Sequence, residues 1–204
     1  MKKRLTAKDL ITVGIMVVLT MVAFMISGIL GNIPILMPLI PFFLGILGAL
    51  PFLVVSTKVG KFGAISIMGI LLGLIGFLMG QHWILLLSGC VCGILADLII
   101  KSGEYKSSNK LAIGYGVFTE WSVGSMLPMW IMKDVYFSKY EQIAPEYVKA
   151  VRPLTENYML IVVVALGFVG ALIGYFIGKK LLNKHFKRAG IVSVSYTHLT
   201  LPTT

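Results

Sequence analysis

Residues 62–100 consist of two apolar runs, FGAISIMGILLGLIGFLMG (62–80) and WILLLSGCVCGILADLII (83–100), separated only by Gln81 and His82. The runs hold 19 and 18 residues, close to the roughly 20 that an α-helix needs to cross a bilayer. Asp97 is the single charged residue within them. Two long apolar runs joined by a short polar turn predict a pair of antiparallel membrane helices.

Four further apolar runs flank this pair, at residues 10–30, 39–57, 111–132 and 158–178. Hydrophobic residues make up 57% of the 204-residue chain and charged residues only 13%, about half the share in a soluble domain. So few polar side chains cannot cover a soluble fold, and two cysteines cannot build a disulfide framework. We therefore expect an all-α integral membrane protein with six transmembrane helices.

The basic residues predict the orientation of these helices. If the N-terminus is cytoplasmic, 14 of the 18 Lys and Arg residues fall on the inner side and 4 on the outer side. This bias matches the positive-inside rule and predicts that both termini lie inside. Because the basic residues fall between apolar runs and not along a soluble face, no nucleic-acid partner is expected.

We assign residues 1–192 to one membrane domain and exclude residues 193–204. That last segment, SVSYTHLTLPTT, does not continue the preceding pattern and resembles a translated sequencing-adapter tail. It is treated as non-native and disordered, as an expression scar would be.

Glu120 is the most informative single residue. It lies about nine residues into the fifth run, roughly 13 Å deep at the helical rise, where a charge costs on the order of 3 kcal/mol. Gly116 and Gly124 flank it at i−4 and i+4, which predicts that it faces the packed interior. Contact with a ligand or ion is the functional interpretation. A structural hydrogen bond is the alternative.

Other polar and aromatic residues gather near the predicted outer ends of the helices. The proline-containing link at residues 31–41 and the aromatic loop at residues 133–157 are expected to fold over this end as caps. Apolar walls with a few polar groups are typical of a small-molecule site. Besides Glu120, the candidate substrate-binding residues are Asn32, Gln81, His82, Trp121, Ser125, Trp130, Asp134, Tyr136, Asn157 and Tyr158.

Several of these features have a structural alternative. Trp130 fits an interfacial aromatic belt equally well. His82 has no second histidine near it, so no metal site is expected. Asp97 precedes Lys101 by four residues, which predicts a local ion pair. Stripes of small residues in the third, fourth and sixth runs predict close helix packing, or else docking of a membrane partner.

The chain lacks the motifs of enzymes and motors. It has no metalloprotease or nucleophile-elbow motif, no P-loop and no paired carboxylates within the apolar runs. We therefore expect no enzymatic activity, no cofactor and no bound metal.

The order of several short motifs resembles the substrate-binding S components of energy-coupling factor (ECF) transporters, in particular the Trep_Strep group of predicted S components. The motifs are Lys61-Phe-Gly63 with Ile67-Met-Gly69, Gly93-Ile-Leu-Ala-Asp97, Gly103-Glu-Tyr-Lys-Ser107, Trp130 with Asp134 and Tyr136, and Glu146-Tyr147.

This resemblance implies a function in a bacterial plasma membrane. An S component captures a vitamin-like micronutrient at the outer face and delivers it with a transmembrane coupling protein and two cytoplasmic ATPases. A stand-alone secondary transporter is the main alternative, although the sequence lacks an obvious inverted repeat. A membrane enzyme would need positioned acid–base pairs that the sequence does not offer.

Overall fold

The computed structural model describes residues 4–185, which form ten α-helices and no β-strand. The helices are α1 (Ala7–Gly28), α2 (Ile40–Leu47), α3 (Ala49–Val54), α4 (Ala64–Leu78), α5 (Trp83–Lys101), α6 (Ser108–Thr119), α7 (Pro128–Ile131), α8 (Lys133–Glu141), α9 (Pro145–Val151) and α10 (Asn157–His185). Segments of 3₁₀-helix cover Ile29–Asn32, Pro34–Leu39, Glu120–Ser125 and Arg152–Thr155, and a π turn covers Val55–Val59. The tail predicted at residues 193–204 lies outside the described residues.

Within residues 4–185, four helical segments are long and apolar enough to cross a membrane. They are Ala7–Asn32, Pro34–Val59, Trp83–Lys101 and Asn157–Lys184. The third predicted span corresponds to α4, which has 15 residues and is about 22 Å long. The fifth predicted span is divided into shorter segments. The chain is an all-α, multi-pass membrane protein, and four of its six predicted spans are full-length helical segments.

The fifth segment changes its helix type at Glu120. The α-helix α6 ends at Thr119 and continues as the 3₁₀ segment Glu120–Ser125. Gly116 and Gly124 therefore do not lie on one regular α-helical face with Glu120, because a 3₁₀-helix turns more tightly than an α-helix. An added Cβ at Gly116 would meet Phe168 of α10, whereas one at Gly124 would meet Ser88 of α5.

The second segment breaks between α2 and α3. Proline at position 51 cannot donate a backbone hydrogen bond to the residue four positions earlier, which favours a kink at this point. The turn residue Gly48 separates the two helices. Close by, the buried Tyr115 hydroxyl of α6 donates to the Gly45 carbonyl oxygen at 2.6 Å. The hydrogen bond ties the bent segment to the bundle.

Glycines bring two pairs of helices into backbone contact. A Cβ at Gly69 of α4 would lie 2.5 Å from the carbonyl oxygen of Gly89 in α5. A Cβ at Gly174 of α10 would lie 2.2 Å from the carbonyl oxygen of Gly45 in α2. Only glycine permits these approaches, so the small-residue stripes serve internal packing at the α4–α5 and α2–α10 interfaces.

Two apolar clusters form the interior. The larger one, between the long helices, includes the mutually tilted rings of Phe52, Tyr115 and Phe118 and the buried Trp121. The smaller one lies under α8 and α9 and includes Phe137 and Val151. The loop predicted at residues 133–157 therefore has a core of its own.

Asp97 caps a neighbouring helix and does not pair with Lys101. Its fully buried carboxylate accepts hydrogen bonds from the Gly63 N–H at 2.8 Å, the Ser66 N–H at 3.1 Å and the Ser66 hydroxyl at 2.9 Å. The Tyr105 hydroxyl donates to its other oxygen at 2.6 Å. The predicted ion pair was wrong because the unpaired N–H groups at the start of α4 attract an anion.

Lys101 has a different neighbour. Its Nζ lies 4.4 Å above the centre of the Phe62 ring, at cation–π distance. The i, i+4 spacing to Asp97 predicted a local contact, but the side chain of Asp97 points across the bundle to α4.

Candidate functional site

A cavity of about 510 Å³ lies at the end of the bundle where α1 gives way to the segment Ile29–Asn32. We call it the capped cavity. The last turns of α1 and α4, the segment Pro34–Leu39, residues 125–129 and helices α8 and α9 contribute its walls. Its volume falls in the range of small-molecule sites.

Helices α8 and α9 form the cap of this cavity. The Tyr147 hydroxyl donates to the Gly31 carbonyl oxygen at 2.7 Å and so joins α9 to the end of α1. On α8, the rings of Tyr136 and Tyr140 lie 4.8 Å apart, and Phe137 is buried in the cluster beneath. Both predicted outer loops therefore fold over the same end of the bundle.

The wall of the capped cavity is largely methionine and aromatic. Four α1 residues share one stripe on it, namely Met21, Phe24, Met25 and Gly28. Six methionines line it altogether: Met21, Met25, Met37, Met79, Met126 and Met129. Flexible thioether side chains adapt to irregular guests and make favourable contacts with aromatic rings.

The polar groups of the wall are few and uncharged. They include the Asn32 amide, the Gln81 amide, the Ser125 hydroxyl and the three tyrosines of the cap. The Asn32 side-chain nitrogen donates to the Ile29 carbonyl oxygen at 3.0 Å, and the Ser125 hydroxyl donates to the Ser122 carbonyl oxygen at 2.7 Å. No charged residue lines this cavity within the described part of the chain.

Burial shifts the pKa of two tyrosine hydroxyls in the cap. It raises the pKa of Tyr136 above its ordinary value, with a smaller effect from Tyr140. Burial also raises the pKa of Tyr147. Both hydroxyls therefore stay protonated at neutral pH and can donate hydrogen bonds.

A second cavity of about 430 Å³, the side cavity, adjoins the first. The two share Gln81, Ser125, Tyr136 and Tyr140, and the side cavity adds His82 and Lys139. The His82 Nδ1 accepts a hydrogen bond from the Ile84 N–H at 3.4 Å, which caps α5. The side cavity thus provides the positive charge that the capped cavity lacks.

Glu120 lies outside both cavities. Both of its carboxyl oxygens are buried, and no hydrogen-bond partner for them occurs among residues 4–185. They approach α10 at Gly167, where an added Cβ would lie 2.8 Å from Oε1 and 3.0 Å from the Pro41 side chain. Glu120 lines neither the capped nor the side cavity.

The remaining candidate residues do not line these cavities. Trp121 is buried against Phe24 beneath the wall, at 5.0 Å between ring centres. The Trp130 indole N–H donates to the Glu156 carbonyl oxygen at 3.1 Å. Asp134 is exposed 3.8 Å from Arg152, and Asn157 and Tyr158 are exposed at the start of α10.

The structure thus brings together Asn32, Gln81, Ser125 and Tyr136, with His82 in the adjoining cavity. Sequence reasoning missed the methionines and Lys139. The spacing of Met21 and Met25 on one helical face was a detectable signal, but the other methionines come from separate elements. Among the described residues, no group of three His, Cys, Asp or Glu side chains could hold a metal ion.

Comparison with known families gives one result that covers most of the chain. The sequence model for "Hypothetical bacterial integral membrane protein (Trep_Strep)" matches residues 7–188, which include all ten helices and the walls of both cavities. Comparisons with curated proteins and with solved structures give no match. The chain therefore belongs to the Trep_Strep family of hypothetical bacterial integral membrane proteins.

Proposed function

We propose that this protein is the membrane-embedded S subunit of an ECF-type importer, without enzymatic activity. It captures a vitamin-like micronutrient in the capped cavity and delivers it with a transmembrane coupling protein and two cytoplasmic ATPases. The observation that carries the proposal is the capped cavity itself. Its size, uncharged wall and two-helix cap are those expected of a small-molecule binding subunit.

The proposed topology has six crossings in the plasma membrane, within one domain and with both termini inside. The distribution of 14 basic residues against 4 supports it. In this arrangement α4 is a short crossing, and the fifth crossing is interrupted at Glu120. Interrupted helices are tolerated in a bilayer where protein surrounds the freed backbone groups. Here α5 and α10 pack on either side of the interruption.

The cavity walls indicate a ligand class. Methionine and tyrosine side chains suit a flat, largely apolar ring system. The amides of Asn32 and Gln81 offer donors and acceptors to its polar edge. Lys139 and His82, in the side cavity, are placed to meet an anionic or carbonyl end. We propose that Asn32, Gln81, Ser125 and Tyr136 contact the ligand, and that Trp121 supports the wall.

A cavity-blocking variant tests the site. Gly28 lies on the cavity-lining stripe of α1, and an added Cβ there meets nothing within 4 Å. We expect Gly28→Phe to fill part of the cavity and abolish ligand retention. Gly14→Phe is the matched control, since Gly14 lies on the same helix, also faces open space and does not line the cavity.

The measurement begins with the purified parent protein. Mass spectrometry of its extract identifies any retained small molecule, and that compound is then quantified in both variants. Retention by Gly14→Phe and loss in Gly28→Phe support the site. Equal retention in both variants contradicts it. Assembly with a coupling protein and ATPases, followed by ATP-dependent uptake into vesicles, tests the importer assignment.

A second candidate function, stand-alone secondary transport, is favoured by one observation. Glu120 is an unpartnered carboxyl group at a break in a membrane helix. Ionisable residues in membrane segments and discontinuous helices are features of ion-coupled transporters. This function predicts that proteoliposomes without ATPases take up the retained compound under a proton gradient, and that Glu120→Gln stops uptake. No uptake by a folded parent protein excludes this candidate.

A further inference from the structure

A third cavity, of about 970 Å³, lies at the opposite end of α1 from the capped cavity. We call it the basic cavity. It is formed by the residues just before α1 and its first turn, by the turn between α3 and α4, and by the turn between α5 and α6. Its wall includes Arg4, Lys58, Lys61, Phe62, Lys101 and Lys106.

The charges of this cavity are unbalanced. Five side chains are cationic and two, Asp9 and Glu104, are anionic. Asp9 is committed to an ion pair with Lys61 and to the capping box at Thr6. In the described part of the chain, the other four cations have no acidic partner: Arg4, Lys58, Lys101 and Lys106. A concave site with this excess of donors favours an anion.

The wall of the basic cavity is fixed by local structure. Glu104 and Tyr105 adopt left-handed backbone conformations, with φ of 53° and 60°. Such conformations are costly outside glycine and persist where surrounding contacts impose them. Here the Glu104 N–H donates to the Lys101 carbonyl oxygen at 2.9 Å, the Tyr105 N–H donates to the Ile100 carbonyl oxygen at 3.2 Å, and the Tyr105 hydroxyl donates to the buried Asp97. Burial, together with that hydrogen bond, raises the pKa of Tyr105, so its hydroxyl remains a donor.

Apolar surface leads away from the mouth of this cavity. Phe62 on its wall is 48% exposed, and Leu98, one turn before Lys101, is 45% exposed. A ligand with an anionic head and apolar chains could therefore contact both a cluster of cations and an adjoining apolar surface. The ends of membrane helices are also where lipid headgroups lie, and clustered Lys and Arg at that level bind anionic lipids.

We propose that the basic cavity binds the phosphate headgroup of an anionic phospholipid, with Lys58 and Lys106 as phosphate ligands. The site is independent of the capped cavity, which lies at the other end of the α1 helix. The shared chemistry is a phosphate anion, and the exposed Phe62 and Leu98 favour the lipid over a soluble phosphate.

The test uses the purified full chain and native mass spectrometry with phosphatidylglycerol, and phosphatidylcholine as the zwitterionic comparison. We expect Lys58→Gln/Lys106→Gln to reduce phosphatidylglycerol retention about tenfold or more. Lys180→Gln/Lys184→Gln is the matched control, since these two exposed lysines lie in the last turns of α10 and outside the cavity. It removes the same charge, and we expect less than about a twofold change.

Four results would overturn the proposal. Equal loss in both double variants would indicate diffuse charge attraction, and equal retention of the two lipids would deny headgroup selectivity. If soluble glycerol phosphate competes for the cavity as strongly as phosphatidylglycerol does, the cavity belongs to a soluble phosphate. If an acidic peptide binds in place of the lipid, the cavity belongs to a peptide ligand. Lys58→Arg/Lys106→Arg must retain the lipid, which separates a lost ligand contact from a folding defect.

Discussion

Replacing Asp97 tests how the start of α4 is held in the bundle. Asp97→Ala removes four hydrogen bonds and leaves two backbone N–H groups, the Ser66 hydroxyl and the Tyr105 hydroxyl without their partner. Hydrogen bonds to a charged group contribute about 1.5–3 kcal/mol each, and a helix cap contributes about 1 kcal/mol. Because the bonds converge on one carboxylate, they do not add fully, and we expect a loss of about 4 kcal/mol.

Two milder variants separate the contributions. Asp97→Asn keeps one oxygen for the α4 N–H groups, and its amide can donate to the Tyr105 hydroxyl, so only the charge is lost. We expect about 1–2 kcal/mol for this variant and about 1 kcal/mol for Tyr105→Phe. Lys101→Gln is expected to cost about 1 kcal/mol or less, because it loses only the contact with the Phe62 ring and Lys101 does not contact Asp97. Asp134→Ala is the control for loss of an exposed carboxylate.

The assay is thermal unfolding in detergent, followed by size-exclusion chromatography with fluorescence detection. For a chain of this length, 1 kcal/mol shifts Tm by about 2–4 °C. Asp97→Ala should therefore lower Tm by about 8–16 °C and Asp97→Asn by about 2–8 °C. If Lys101→Gln lowers Tm as much as Asp97→Ala, the local ion pair is real and the capping account is wrong.

Four further substitutions test individual contacts of the bundle in the same assay. Gly69→Ala should destabilise by about 2 kcal/mol or more, because its methyl group meets a carbonyl oxygen of α5 at 2.5 Å. Gly14→Ala, which meets no atom, should be neutral or slightly stabilising, and similar Tm values for the two would contradict the contact. Tyr115→Phe should cost about 1–2 kcal/mol, since it leaves a buried carbonyl without its donor; an unchanged Tm would mean that another donor replaces it. Asp9→Asn should lower Tm slightly at low salt, and a loss that persists undiminished at high salt would argue against the ion pair with Lys61.

The sequence predicted the helical membrane architecture because apolar run length is a local property. Residues 10–30, 83–100 and 158–178 each became one long helix, with boundaries shifted by a few residues. The break at Glu120 was missed because no proline lies within the preceding turn to signal it. Helix type there depends on α5 and α10, which pack against the segment on its two sides.

Part of the candidate site was also predictable from the positions of the helix ends. Asn32, Gln81 and Ser125 lie near helix ends, so their common location followed from topology. Glu120 was expected to face a ligand because it is costly in a membrane, but that cost says only that the residue avoids lipid. Whether it meets a cavity or a neighbouring helix depends on which backbone approaches it, and here that backbone is Gly167.

Asp97 shows the limit of spacing rules in this chain. Its separation from Lys101 favours a local pair in an isolated helix, but Gly63, at the start of α4, has no side chain to cap its own helix. A carboxylate from the adjacent helix therefore takes that role. The sequence of either helix alone does not predict such a long-range contact.

The glycine contacts limit how this bundle can move. Rotating α4 against α5 until Ile70 takes the place of Gly69 would push its branched side chain against the carbonyl oxygen that now faces Gly69. We therefore expect each of the pairs α4–α5 and α2–α10 to keep its mutual orientation and to move as one body. A motion that opens or empties the capped cavity must occur along the seams between these bodies, where larger side chains allow small shear displacements.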